Sequence, residues 1–261
     1  MENTKKLLCL KGIRCNEAMN WLMHDLASLR KPDVKMFSKK NDVRPFEDPS
    51  SLEFFSEKND ASLFLMASHS KKRPNNLVLG RMFDHKLLDM IEIGVGAYTP
   101  MSECKGPKRS IGAKASFLFQ GEGFDHDPTL KVLKNLLLDM FRGKVIESVA
   151  LPTLDHVIAV SNIGPQVFFR VYSYDFKRSG TRVPNVELVP HGPNFNFTIR
   201  RHQLAASDLA KVARKQPRQC VLKEKKVKNL THDELGSTLG RIHMERQDYD
   251  ELQLRKVKAL K

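Results

Sequence analysis

The chain has 261 residues with 44 Lys+Arg against 30 Asp+Glu, giving a formal charge of +14 and a pI near 9.7. Apolar residues make up 41% and charged residues 28%, a balance that excludes a wholly disordered chain and fits one two-lobed unit or two small domains. An excess of cations this large is tolerated where a polyanion neutralises it, so nucleic acid leads the partner classes; no apolar run approaches the roughly 20 residues that span a bilayer.

Residues 6–10 are short and apolar and close at Gly12, which predicts a first strand and neither a signal peptide nor an anchor. Asn16 opens a helical pattern through Ala18, Leu22, Leu26 and Leu29 that stops before Pro32. After a polar loop holding Arg44-Pro45-Phe46, Ser51 is placed to cap a short helix with Leu52, Phe54 and Phe55, and Glu53 suits its first turn. Apolar residues 61–67 and 77–79, the latter running on into Gly80-Arg81-Met82-Phe83, predict two strands joined by a basic turn over residues 70–76. Asp84 is then expected to cap a helix through Leu87, Leu88 and Ile91 that ends near Gly94 and Gly96.

Residues 97–114 mix Pro, Gly, Ser and Lys and read as an internal linker. The pattern restarts with a strand at residues 115–119 and a helix opened by Asp127-Pro128, with Leu130, Leu133, Leu137 and Phe141 on one side and Gly143 at its end. From His156 the texture is β, with strands over 157–160, 167–174, 185–189 and 195–199. Phe168, Phe169, Tyr172, Tyr174, Phe195 and Phe197 occur at strand spacing and read as core rather than as platforms for unpaired bases. Residues 205–215 read as a basic helix stopped by Pro217, and 223–228 as a run too charged to pack alone. Residues 231–261 are helix-compatible through a capping-box spacing of Thr231 and Glu234.

Charge is unevenly placed. Residues 200–228 hold ten Lys+Arg against two Asp+Glu, net +8, whereas residues 1–199 carry net +6 and residues 229–261 net zero. Arg200, Arg201, Lys211, Arg214, Lys215, Lys223, Lys225, Lys226 and Lys228 are therefore candidates to follow a phosphate backbone and release its counterions. That chemistry carries affinity more than sequence specificity. Lys71, Lys72 and Arg73 lie on the basic turn beside Asn75 and Asn76, whose amides suit bases or riboses; the same turn reads equally as a soluble hairpin tip.

Enzymatic motifs are weak. Gly121-Glu122-Gly123 lacks the third glycine of a dinucleotide loop, and Gly106-Pro107-Lys108-Arg109-Ser110 lacks the order of a phosphate loop. Asp125, His126, Asp155 and His156 supply acid and imidazole groups, so an RNA-processing enzyme is the alternative reading, with structural or surface roles favoured. Cys9, Cys15, Cys104 and Cys220 form no C-x-x-C pair, which argues against a zinc ribbon or a disulfide framework and for free thiols in a reducing compartment. No metal, cofactor, small-molecule substrate or membrane partner is expected.

Arg44-Pro45-Phe46-Glu47-Asp48, Ser51-Leu52-Glu53-Phe54-Phe55 and Lys71-Lys72-Arg73-Pro74-Asn75-Asn76-Leu77-Val78-Leu79-Gly80-Arg81-Met82 follow one another in the order seen in a known family. They are joined by Leu137-Leu138-Asp139-Met140-Phe141-Arg142-Gly143, Phe169-Arg170-Val171-Tyr172, Glu187-Leu188 with Gly192-Pro193, and Gly240-Arg241-Ile242-His243-Met244. Together they resemble the Brix-domain family over almost the whole chain. The resemblance implies an α/β, two-lobed, pseudo-symmetric domain with mixed sheets packed by helices, over residues 1–204, with lobes at about 1–96 and 115–204 and the linker at 97–114. A basic helical or extended C-terminal stretch, 205–261, would follow it. The resemblance also implies a non-catalytic nucleolar and nuclear assembly factor for the large ribosomal subunit. Such a factor binds large-subunit rRNA and 5S rRNA and works with the regulator of ribosome synthesis to recruit the 5S particle with its two ribosomal proteins. The family's basic N-terminal extension and long lysine-rich tail have no counterpart in these strings, so contacts made by those segments are not assigned. The matching positions add Arg81, Arg241 and His243 to the candidate RNA-binding residues.

Overall fold

Strand β1 (Leu7–Gly12) is apolar over its first four residues and strand β3 (Leu63–Ser68) over its first five because both faces are covered there. Between them lie α1 (Glu17–Arg30), β2 (Val34–Asn41) and α2 (Ser50–Asn59). Asn16 caps α1 in extended backbone, its side chain accepting from Met19 N at 3.0 Å. The computed structural model describes residues 4–104, 106, 110–146, 148–150, 154–181, 183–215, 228–244 and 246, and the chain divides into two units, 1–214 and 215–261.

In the first unit β4 (Asn76–Phe83) and β5 (Lys86–Thr99) follow β3 as an antiparallel meander. The second half repeats the plan: β6 (Ala115–Gln120), helices α3 (Gly123–His126) and α4 (Pro128–Phe141), then β7 (His156–Ile163) parallel to β6. Antiparallel β8 (Gln166–Lys177) comes next, and β10 (Asn194–Gln203) pairs with its first residues while β9 (Asn185–Pro190) pairs with its last. The result is one ten-stranded mixed sheet in the order β2-β1-β3-β4-β5-β10-β8-β7-β6, with β9 beside β8. In each half a strand passes through a helical crossover to a parallel neighbour and then turns back, and the halves meet where β5 and β10 pair antiparallel. The two lobes expected from the sequence therefore share a single sheet.

Helices α1 and α4 cover one face. Leu22, Leu26, Leu133, Leu137 and Met140 pack on Leu7, Leu65, Leu79, Ile93, Phe197, Phe169 and Ile158, one core running across both halves. On the other face of the first half, α2 brings Leu52 onto Leu8, Leu10, Phe64, Met66, Val78 and Met90. Among the described residues the second half has no such cover: Phe168, Arg170, Tyr172 and Tyr174 of β8 are half-buried, and Leu118 of β6 and Leu188 of β9 are exposed. Alternation along β8 records this difference, Val167, Phe169 and Val171 facing the core. Of the six aromatics expected in the core, Phe169, Phe195 and Phe197 are there and the other three line the open face.

Several expectations are corrected. The helix expected from Asp84 is strand β5, because Asp84 (φ 50°) and His85 (φ 58°) both adopt left-handed backbone and turn the chain in a two-residue hairpin. Strand β2 was not expected; it is a half-polar edge strand parallel to β1, with Lys35, Lys39 and Lys40 exposed. Helix α2 starts at Ser50, where Asp48 accepts from the Ser50 N–H at 2.9 Å and hydroxyl at 2.8 Å, so Ser51 is not its cap. The basic helix expected over 205–215 is the shorter α5 (Ser207–Ala213). In the second unit Thr231 and Glu234 open no helix: β11 (Leu230–His232) and β12 (Thr238–Gly240) pair around a turn closed by Gly236 at φ 79°.

Gly80 lies where β4 passes over the Phe64 ring; a Cβ there would overlap the ring and come within 2.8 Å of the Asp89 carbonyl oxygen. Gly80→Ala is expected to lower stability by about 1–3 kcal/mol through overpacking. Gly96→Ala, whose added methyl meets only the Asn196 carbonyl at 3.7 Å, is expected to be near neutral. Urea unfolding midpoints of the two variants check this, and equal midpoints would contradict it.

Candidate nucleic-acid interface

The connection from β3 to β4 is a built structure. Ser70 N donates to Arg73 O at 3.1 Å, Arg73 N donates to Ser70 Oγ at 3.0 Å, and Asn75 turns the chain at φ 47°. The turn is stapled to the β1–α1 connection: His69 N donates to Arg14 O at 2.7 Å and Asn16 Nδ2 donates to Asn75 Oδ1 at 2.7 Å. Exposed Arg14 therefore joins exposed Lys71, Lys72 and Arg73. The β1–β2 register sets Lys11 opposite Lys40, which brings Lys39 and Lys40 to the same end of the sheet. With neighbouring strands about 4.8 Å apart, β2 to β3 spans roughly 10 Å, so these cations form one basic end at the carboxyl ends of three parallel strands.

The carboxylate beneath the turn is withdrawn, whereas Asp42, just past β2, stays exposed and faces Arg44 at 3.6 Å. Glu92 is only 1% exposed and is held inward by Asn76 Nδ2 at 2.6 Å, by Arg201 Nε and by Arg73 at 3.6 Å. Arg201 also stacks on the Phe46 ring, 3.8 Å from its centroid. Arg200 donates to Asn76 Oδ1 at 2.9 Å and to Pro74 O at 2.6 Å, and its guanidinium lies where a Cβ on Gly94 would be. Arg200 and Arg201 thus brace the base of the turn, leaving Lys71, Lys72, Arg14, Lys11, Lys39 and Lys40 as its outward charge.

Other nominated residues lie elsewhere. Arg81 is bonded to Asp89, to Asn135 and to Asp139 at 2.7 Å, with its side chain 15% exposed, so its charge is spent within the fold. Burial alone would lower its pKa, but Asp89 and Asp139 raise it above the ordinary arginine value. Lys211 is exposed on α5, and Arg214, exposed just after it, lines a cleft with Ser62, Leu63 and Phe83. That is the opposite end of β3 from the basic turn, roughly 17 Å away along a six-residue strand. Within the first unit the net-positive stretch read as one unit is therefore divided, Arg200 and Arg201 lying under the turn and Lys211 and Arg214 at the other end. Lys215 and Lys228 belong to the second unit and are exposed. Lys223, Lys225 and Lys226 fall outside the described residues. Arg241 and His243 follow β12, where Arg241 N donates to Asn229 O at 2.7 Å and His243 Nε2 lies 3.0 Å from Asn229 Oδ1.

The acid and imidazole groups of the enzymatic alternative do not converge. Exposed His126 ends α3, which follows the last residue of β6, whereas buried His156 pairs with Ala115 at the first residue of β6. Asp155 accepts from Ser110 N at 2.8 Å and holds a loop. Among the described residues no group of three His, Cys, Asp or Glu side chains is arranged to hold a metal, and no helix is long and apolar enough to cross a membrane.

Comparison with known proteins agrees with this architecture. The Brix domain model matches residues 12–201. The ribosome production factor 2 homolog of Drosophila melanogaster is 42% identical over 100% of this chain and 81% of its own length. The Homo sapiens homolog of the same factor is 44% identical over 92% of this chain and 78% of its own. A crystal structure of a probable ribosomal biogenesis protein from Aeropyrum pernix superposes with a TM-score of 0.50 at 10% identity, covering 77% of this chain and 99% of that one, a likeness of fold.

The charge spent by Arg81 has a measurable signature. Burial raises Asp139, but hydrogen bonds from Lys5 at 2.8 Å and from Arg81 overcome it and hold the carboxyl below its ordinary value. A depressed folded pKa contributes stability that is complete above the unfolded value, about 3.9, and is lost as pH falls through the folded one. Asp139→Asn is expected to lose less stability than the parent on acidification below about pH 4. Urea titrations at stepped pH read this out, and parallel losses in the two proteins would contradict it.

Proposed function

Because the chain belongs to the Brix-domain family and is a ribosome biogenesis factor of the ribosome production factor 2 type, we propose that it is a non-enzymatic scaffold of large-subunit assembly that holds rRNA by its phosphates. The observation that carries this reading is the basic end: Lys11, Arg14, Lys39, Lys40, Lys71 and Lys72 share one end of the sheet while Glu92 is turned inward. Lysine and arginine set on strand ends and a stapled turn suit backbone contacts, which fix position on a nucleic acid rather than read its sequence. No Phe, Tyr or Trp occurs among residues 11–16, 38–42 or 68–76, and the nearby Phe46 ring is taken by Arg201, so these segments suit phosphates rather than stacked bases. Lys211 on α5 and the nominated cations of the second unit extend the same chemistry to further stretches of large-subunit rRNA and 5S rRNA.

The open face of the second half supports a protein partner. Phe168, Tyr172 and Tyr174 stand where α2 seals the other half, and β9 beside them is an exposed edge that can accept a further strand. On this reading the partner is the regulator of ribosome synthesis, the joint assembly recruits the 5S particle with its ribosomal proteins, and the work is done in the nucleus and nucleolus.

If about six phosphates are neutralised, affinity for 5S or large-subunit rRNA is expected to fall with salt at a log–log slope near −5, by analogy with duplex DNA. Replacing Arg14, Lys71 and Lys72 together by Gln is expected to flatten that slope by about 3. Filter binding over a salt series measures both, and a flat parent slope would reject the reading. Tyr172→Glu is expected to abolish capture of the partner while leaving the salt slope intact.

A further inference from the structure

A cleft of about 730 Å³ between α4, the β4–β5 hairpin and the segment holding α5 belongs to neither surface above. Its volume falls within the range of clefts that hold ligands. The floor is apolar: Leu63 and Met82 are buried, and Leu88 and Val132 are partly buried. Toward this floor α5 presents only Ala210 and Ala213, and no residue of α5 is buried, so the helix stands over the space without filling it.

Charge at the cleft is sorted by pairing. Arg81, Asp89 and Asp139 neutralise one another in its depth and the more exposed Lys5 also pairs with Asp139, whereas Lys131 and Arg214 are exposed at the rim and pair with no carboxylate among the described residues. An occupant must therefore set apolar side chains on the floor and negative charge at the rim. A nucleic acid fits poorly, because the floor is apolar and the cations Arg81 and Lys5 are already taken by Asp89 and Asp139. The stretch of this chain that follows α5 fits poorly too, since residues 215–228 hold six Lys+Arg and one Glu. Helix α5, seven residues long, makes this wall roughly 10 Å, about two turns of a helix.

We propose that this cleft is a docking site for an acidic, leucine-bearing helical segment of a protein partner. Leucines at i and i+3 or i+4 settle on Leu63, Met82, Leu88 and Val132, and glutamates on the flanks meet Lys131 and Arg214. The proposal rests on the cleft alone and is independent of RNA binding at the basic end.

The test uses the full chain and a fluorescein-labelled helical peptide of about four turns with leucine at that spacing and glutamate elsewhere. A matched peptide with lysine in place of glutamate is the control. Fluorescence anisotropy should show saturable binding of the acidic peptide and at least about tenfold weaker binding of the lysine peptide. Ala213→Trp, which fills the cleft from a half-exposed position, should weaken the acidic peptide by about tenfold or more. Lys131→Glu with Arg214→Glu, both at exposed positions, should reverse the preference toward the lysine peptide without altering thermal melting. No binding of the acidic peptide, equal binding of both peptides, or unchanged affinity in Ala213→Trp would overturn the proposal. So would loss of RNA-duplex binding in Ala213→Trp, which would give the cleft to nucleic acid.

Discussion

Antiparallel pairing of β5 with β10 joins two half-sheets into one, and most of what the molecule presents to a partner is referenced to that seam. Neither half could bury its central edge alone; paired, they let α1 and α4 share a single core. The seam also carries the groups that shape the basic end. Glu92 and Gly94 are residues of β5, and Arg200 and Arg201 are residues of β10. Gly94 leaves room for the Arg200 guanidinium, Arg200 holds the Pro74 carbonyl, and the basic turn is fixed from beneath.

This arrangement separates charges that hold the protein together from charges that face outward. Arg81, Arg200 and Arg201 satisfy buried or half-buried acceptors, and removing one would leave Asp89, Asp139, Glu92 or a backbone carbonyl short of its partner. Lys71, Lys72, Lys39 and Lys40 have no such duty. Lysine suits that outward role: a compact charge on a flexible stem reaches many phosphate positions, whereas a fixed guanidinium fork suits a defined acceptor.

Much of the fold was legible in the sequence because its signals are local. Asn16 and Asp127 are N-caps, the paired apolar runs around residues 70–76 are a hairpin, and the strands after residue 156 alternate as a one-sided sheet should. The misses are tertiary overrides. Leu87, Leu88 and Ile91 fit a helix by spacing, yet two left-handed residues at 84 and 85, without the usual Asn-Gly signal, commit the chain to a hairpin. Strand β2 is half-polar because it lies at an edge, and missing it hid Lys39 and Lys40 from the site. Lys11 and Arg14 could have been found in Lys11-Gly12-Ile13-Arg14, the link between a strand and a capped helix. Arg81, by contrast, carries no sequence mark that its charge is already taken.

The register of the seam also bears on the order in which the protein can be made. Every partner strand of β1 to β4 lies within the first 99 residues, so a nascent chain can assemble that half-sheet and lay α1 and α2 on it early. Pairing Thr99 with Asn194 joins residues far apart in sequence, and it waits until β10 leaves the ribosome. Until then the edge of β5 stands open and α4 is missing from the shared core, so the first half spends much of its synthesis as a sheet in need of its second half.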